Sequence, residues 1–193
     1  MSAVEIALTT ERLQIVALDT ADIPAFVAYR QDAEVARWQS WDPSYDEAQA
    51  ALLVAGQPAG TLPAPGEWLQ LAVRDLTTGG LLGDVAIHTL ADQPDSYELG
   101  VTLARSSQRQ GVAAEALTGV LDFLFAEAGA HRVIASCDAR NAPVARLLGR
   151  VGMRRESRQV EADWFKDEWT TVDGYAVLAR ERAAAESPPA REE

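Results

Sequence analysis

Cysteine and histidine are nearly absent from this chain of 193 residues: Cys137 stands alone, and there are two histidines. A single cysteine excludes an intrachain disulfide. So few sulfur and imidazole ligands argue against a zinc centre, and no metal is expected. Long apolar runs are missing as well. None approaches the ~20 residues that cross a bilayer, and the opening "MSAVEIALTTERL" has neither the basic start nor the apolar core of a secretion signal. The chain therefore reads as cytoplasmic, with no membrane partner. The nucleotide-loop patterns GxxxxGK(S/T) and GxGxxG are absent too. The length suits one good core rather than two domains, and 48% apolar residues is ordinary for a globular chain.

Basic charge is scarce overall but unevenly placed. The net charge is −12. Residues 1–104 carry net −11, residues 105–158 net +4 and residues 159–193 net −5. A basic segment thus lies inside an acidic chain. Such a division suits a polyanion bound by the middle and a cation approaching the rest. Direct nucleic-acid binding is not expected, because most of the chain would repel phosphate.

Apolar alternation in "ERLQIVAL" (11–18) reads as a half-buried strand, followed by a helix near 21–31 capped by Asp19 or Thr20. Ser44, with Glu47 three residues on, offers the cap of a second helix near 45–55. After the Gly- and Pro-rich loop 56–66, three strand-like runs (67–75, 81–90 and 96–104) are joined by short turns, the pattern of an antiparallel meander. From Gly111 to about Ala128 the apolar stripe Val112, Leu117, Val120, Leu121, Leu124 and Phe125 predicts a helix, with Gly129 as its stop. "HRVIASCD" (131–138) reads as a strand parallel to 96–104. Asn141 can cap a helix over 142–150, and two alternating runs close the chain as an antiparallel pair. Residues 1–182 are read as one domain, and the acidic tail 183–193 as disordered.

The junction "SSQRQGVAAEAL" (106–117) carries the clearest chemical signal. The first N–H groups of a helix lack intrahelical partners and, with the helix dipole, favour an anion. Gly111 lets a ligand approach the backbone, and Ala113 leaves nearly as much room. Gln108, Arg109 and Gln110 add donors, and Arg105 and Arg109 add charge. Gln108-x-x-Gly111-x-Ala113 resembles the Q/R-x-x-G-x-G/A signature of the GNAT N-acetyltransferase superfamily. "DARNAPVARLLGRVGMRRE" (138–156) is similar to that family's second motif, on Asn141, Arg146, Leu147, Leu148 and Gly152. "TTERLQIVALDTADIPAF" (9–26) looks like the start of its ribosomal-protein N-terminal (alanine) acetyltransferase branch, and so does the closing strand near Tyr175.

The resemblance implies an α/β fold with a mixed, mostly antiparallel, splayed sheet of about six to seven strands and helices on both faces. It implies acetyl-CoA as co-substrate and acyl transfer to an amine, either a protein N-terminus or a small molecule. Homodimers are common in the family. Coenzyme A contacts would fall at Leu99, Val101, Leu103, Gln108, Arg109, Gln110, Gly111, Val112, Ala113 and Asn141. For Asn141 a helix cap is the competing role. The base that deprotonates the amine would be Glu98, with His88 second; the competing readings are a solvated strand glutamate and a core or edge histidine. Trp38, Trp41, Tyr45 and Trp164 would wall the acceptor site, or else simply pack. Three positions depart from the family pattern: Leu148 for the usual tyrosine acid, Val144 for serine and Gly149 for glutamate. Those departures keep a non-catalytic acyl-CoA-binding module open as an alternative, beside an aminoglycoside or polyamine acetyltransferase. Cys137 reads as core rather than nucleophile.

Overall fold

A computed structural model describes residues 6–58 and 60–186. Eight strands form one sheet: β1 (Ala7–Thr9), β2 (Leu13–Ala17), β3 (Trp68–Asp75), β4 (Leu81–Thr89), β5 (Ser96–Leu103), β6 (Arg132–Asp138), β7 (Arg154–Phe165) and β8 (Glu168–Leu178). Their spatial order is β1-β2-β3-β4-β5-β6-β8-β7. The count exceeds the six to seven expected from sequence. The short β1, with three residues, is too brief to show alternation.

Period-2 alternation assigns the two faces. Leu69, Leu71 and Val73 of β3 enter one core with Ile15, Val85 and Ile87, while Ala72 faces the other way into a second core. The first core is covered by α4 (Val112–Ala126) and α5 (Ala142–Arg150), through Leu117, Leu121, Leu124 and Leu148. The second is covered by α1 (Ile23–Arg30), α2 (Ala33–Ala36) and α3 (Glu47–Gly56), through Phe26, Val27, Tyr29, Val35 and Ala50. On α4 the buried ring is Phe123; Phe125 packs only at the margin. The helix stops as expected: Gly129 takes φ +71°, and the Ala130 N–H donates to the Leu124 carbonyl at 2.8 Å.

Two caps differ from the sequence reading. Asp19 caps only a short 3-10 turn (Thr20–Asp22), and α1 starts after Asp22, which makes no side-chain cap. Asp46, not Ser44, caps α3: its carboxylate accepts from the Gln49 N–H, and the Gln49 amide oxygen accepts from the Asp46 N–H, each at 2.9 Å. Ser44 is held instead in a turn by Asp42 Oδ1, which accepts the Ser44 N–H at 2.8 Å. The last helix, α6 (Ala179–Glu186), crosses the domain boundary expected at residue 182. The remainder of the expected disordered tail, 187–193, lies outside the described residues.

The feature that shapes the rest is the pairing of β5 with β6. Among the described residues it is the sheet's one parallel pairing, and it lasts three residues: Ser96↔Arg132, Tyr97↔Val133 and Glu98↔Ile134. Beyond Glu98 the strands part. Each keeps its outer partner, β4 as far as Leu103 and β8 as far as Asp138. Leu99–Leu103 therefore has no strand partner on one edge inside the molecule, where only the Leu103 carbonyl is taken, by the Gln108 amide at 3.2 Å.

The β4–β5 contact is tight where it matters. A Cβ on Gly83 would stand 2.2 Å from the Thr102 carbonyl oxygen and 2.8 Å from Leu103 Cα, both of them backbone atoms. Gly83→Ala should therefore destabilise the protein by about 2 kcal/mol and lower Tm by roughly 4–8 °C in calorimetry. An unchanged Tm would show that β5 has room to shift.

Candidate active site

The loop from β5 to α4 leaves a helix N-terminus bare. Asp32, Asp46 and Asn141 cap α2, α3 and α5 with side-chain oxygens, but α4 has Gly111 as its N-cap and no side-chain cap. Its first-turn N–H groups are thus free for a ligand. Gly111 sits at φ +83°, in the left-handed region that glycine occupies without strain, and Arg109 two residues before it takes φ +62°. The Gln108 amide donates to the Leu103 carbonyl at 3.2 Å and the Gln110 amide to the Ser106 carbonyl at 2.6 Å, which fold the loop on itself.

A brace unseen in the sequence holds this loop from outside. Glu115 on α4 accepts from Thr10 Oγ1 at 2.6 Å, from the Arg12 N–H at 2.8 Å and from Arg12 Nε at 2.7 Å. Arg12 Nη1 also donates to the Gln110 carbonyl at 3.2 Å. Burial alone would raise the Glu115 carboxyl, but the hydrogen bonds from Thr10 and Arg12 outweigh it and hold the group below its usual range.

Loop, freed strand and α5 enclose one cleft of about 820 Å³. Of the expected cofactor residues, Val101, Leu103, Gln108, Arg109, Gly111 and Asn141 line it. The other four do not. Leu99 and Val112 are buried in the core, Ala113 packs against it, and the Gln110 amide is turned onto Ser106. Leu99 can offer only its backbone. Four of the basic segment's nine arginines (Arg105, Arg109, Arg146 and Arg150) border the cleft, beside Glu34, and Arg105 Nη1 lies 4.0 Å from Asp32. Asn141 both lines the cleft and caps α5, accepting the Val144 N–H at 3.4 Å. Leu148 is buried in the core, so no acid stands where the family's tyrosine would be.

At the vertex, where β5 and β6 part, the pairing aligns Trp68, His88 and Glu98 across three strands. His88 Nδ1 lies 3.5 Å from Glu98 Oε2, and Ser136 Oγ on β6 donates to Glu98 Oε1 at 3.4 Å. The indole of Trp68 stacks on the His88 ring, with centroids 4.6 Å apart and planes 8° from parallel. Both sequence candidates for the base therefore come together. The sequence does not show that Trp68 shares this row, which only the register reveals, nor that Ser136, two residues beyond the registered partner Ile134, reaches back to Glu98.

The expected acceptor wall needs correction. Trp38 lines the cleft. Trp41 and Tyr45, however, are already occupied: the buried Arg30 guanidinium lies 3.6 Å from the Trp41 centroid and 4.9 Å from that of Tyr45, with Phe26 at 4.0 Å. Trp164 packs edge-on against Trp169 at 5.3 Å, near the β7–β8 turn. Lys166 in that turn donates to the carbonyls of Ala36 at 2.7 Å and Trp41 at 2.9 Å, pinning the hairpin to the segment after α2.

Residues 12–154 match the family model "Acetyltransferase (GNAT) domain". The chain belongs to this family and is an N-acetyltransferase by class. It is similar to the uncharacterized N-acetyltransferase YnaD of Bacillus subtilis, 28% identical over 177 residues that span 90% of this chain and 98% of that protein. Its fold resembles a GNAT-family acetyltransferase from Bacillus anthracis, with TM-score 0.79, 25% identity, and coverage of 91% and 99% of the two chains. The spermidine N-acetyltransferase of Vibrio cholerae, solved with CoA and spermine, shares the fold at TM-score 0.74 and 16% identity, over 90% and 99% of the two chains.

Cys137 on β6 lies half-buried against the first core. Burial, with Asp173 and Asp138 nearby, pushes its thiol up to about 11. Almost none is thiolate at neutral pH. Iodoacetamide at pH 7.5 should leave Cys137 unmodified in intact-mass analysis over an hour, and Cys137→Ala should leave turnover unchanged. Rapid alkylation would show an open, activated thiol instead.

Proposed function

We propose that this protein transfers an acetyl group directly from acetyl-CoA to a primary amine of a cationic acceptor. The observation that carries the reading is the parting of β5 from β6, with a carboxylate at its vertex and an uncapped helix N-terminus at its open end. The α4 N–H groups and the bordering arginines suit a pyrophosphate, and the free edge of Leu99–Leu103 suits the amides of a pantetheine arm. Acetyl-CoA would supply an acyl thioester whose leaving sulfur needs little help.

Glu98 is the base. It takes a proton from the ammonium group, so that the neutral nitrogen can attack the thioester carbonyl carbon. As the C–N bond forms and the C–S bond breaks, a backbone N–H on the freed part of β5 stabilises the oxyanion. With Leu148 in place of an acid, the sulfur leaves as thiolate and takes its proton from water. Ser136 Oγ donates to the Glu98 carboxylate at 3.4 Å, and the His88 ring stands beside it with Nδ1 3.5 Å from Oε2. The acidic remainder of the chain favours a cationic acceptor, whether a small molecule or a protein N-terminus.

Purified protein should release free coenzyme A from acetyl-CoA only when an amine is added. Binding without release across a broad amine panel would make it an acyl-CoA-binding module. Glu98→Gln should lower kcat by roughly 10²–10⁴-fold while acetyl-CoA affinity, read by calorimetry, stays the same. Undiminished turnover would remove Glu98 as the base. Gly111→Val forces a β-branched residue into φ +83°, with its Cβ 3.3 Å from Arg12 Nη2. It should weaken acetyl-CoA binding at least about tenfold, and unaltered affinity would contradict the role of the loop.

A further inference from the structure

Trp41 and Tyr45 carry an internal cation, yet an aromatic surface beside Glu98 does exist. Trp68 is 46% exposed although it belongs to a strand of the central sheet. One face of its indole rests on His88, and nearly half of the residue is open to solvent. Its neighbours in the row are His88 and then Glu98. An aromatic held flat by a stacked ring, in line with the carboxylate of the site, is a ready platform for a cation.

We propose that Trp68 is a specificity-determining residue, which binds a second cationic nitrogen of the acceptor while the reacting amine lies at Glu98. The inference rests on the acetyl-transfer reading and names its acceptor class: a linear, dicationic aliphatic amine. The row sets the spacing. Two strand separations, about 10 Å, lie between the Trp68 and Glu98 backbones. The cation sits within about 6 Å of the indole centroid, so the two nitrogens are on the order of 10–15 Å apart. A short diamine cannot reach both points. His88, between them, serves as the flat support of the indole and keeps it over the row.

The test compares three amines on the intact protein: decane diamine, decylamine of the same chain length with one nitrogen, and butane diamine. Decane diamine should show kcat/KM about tenfold above the other two. Trp68→Leu should remove that advantage through KM, with kcat for decane diamine and KM for acetyl-CoA unchanged. Trp68→Phe should restore part of it. Equal losses for decylamine and decane diamine in Trp68→Leu, or no preference for the long diamine in the unaltered protein, would overturn the proposal. So would a peptide with lysine as its second residue whose kcat/KM depends more on Trp68 than that of decane diamine does. If no amine is acetylated, the acetyl-transfer reading fails by itself. Trp68 is then judged by calorimetric binding of decane diamine in the presence of coenzyme A: about tenfold weaker binding in Trp68→Leu supports the platform, and equal binding rejects it.

Discussion

Three residue pairs hold β5 to β6, and after them the two strands diverge. Backbone N–H and C=O groups left unpaired inside a protein are costly, so a parting of this kind persists only where each strand is secured elsewhere. Here β4 secures β5 along its whole length, and β8 secures β6. The close approach at Gly83 locks the first of these pairings at the end where the gap is widest. The gap is therefore built by rigid flanks rather than by a weak strand. Everything proposed for the donor side follows from it: a free strand edge, a cleft of molecular size, and a carboxylate at the vertex where the last pair ends.

Charge is arranged around the same gap. Four arginines converge on the cleft, though they come from the loop before α4 and from α5. The N-terminus of α4 adds its own positive end because no side chain caps it. Glu115, in the first turn of that helix, does not cancel this field. It is consumed by Thr10 and Arg12, which use it to brace the loop. On the opposite face a different cation is consumed internally. Arg30 is 3% exposed and lies among Phe26, Trp41 and Tyr45, with Asp84 Oδ2 at 3.9 Å. Burial pushes the Asp84 carboxyl up, while Arg30 and the Tyr29 hydroxyl pull it down. Truncating either partner of such a buried pair would strand the other charge, so the cluster fixes the segment after α2 firmly. Lys166 fastens the same segment from the β7–β8 turn.

The sequence was most legible where function depends on local backbone. The loop at 106–117, the bare start of α4, the stop at Gly129 and the cap at Asn141 are each written in a few adjacent residues, and the structure has them in place. Strand positions were legible because alternation is local too. Misreadings arose where two local solutions competed. Ser44 with Glu47 reads as a cap, yet Asp46 caps the helix because Gln49 returns its hydrogen bond. The aromatics of 38–45 were a natural acceptor wall by composition, but an arginine eleven positions before Trp41 fills their cage.

The sequence by itself determined the family, the helix that opens on Gly111, and the types of residue available for acid–base work. Those follow from short-range spacing, which a linear chain displays directly. Only the tertiary structure decided which of them meet. Trp68, His88 and Glu98 lie on three strands, and strand register, not sequence distance, places them together, while Ser136 on β6 reaches Glu98 across the start of the gap. Register is set by which face each strand buries and by the turns between strands, a property of the whole sheet. The same sheet decides that Trp41 serves the interior and that Trp68 faces the solvent beside the carboxylate.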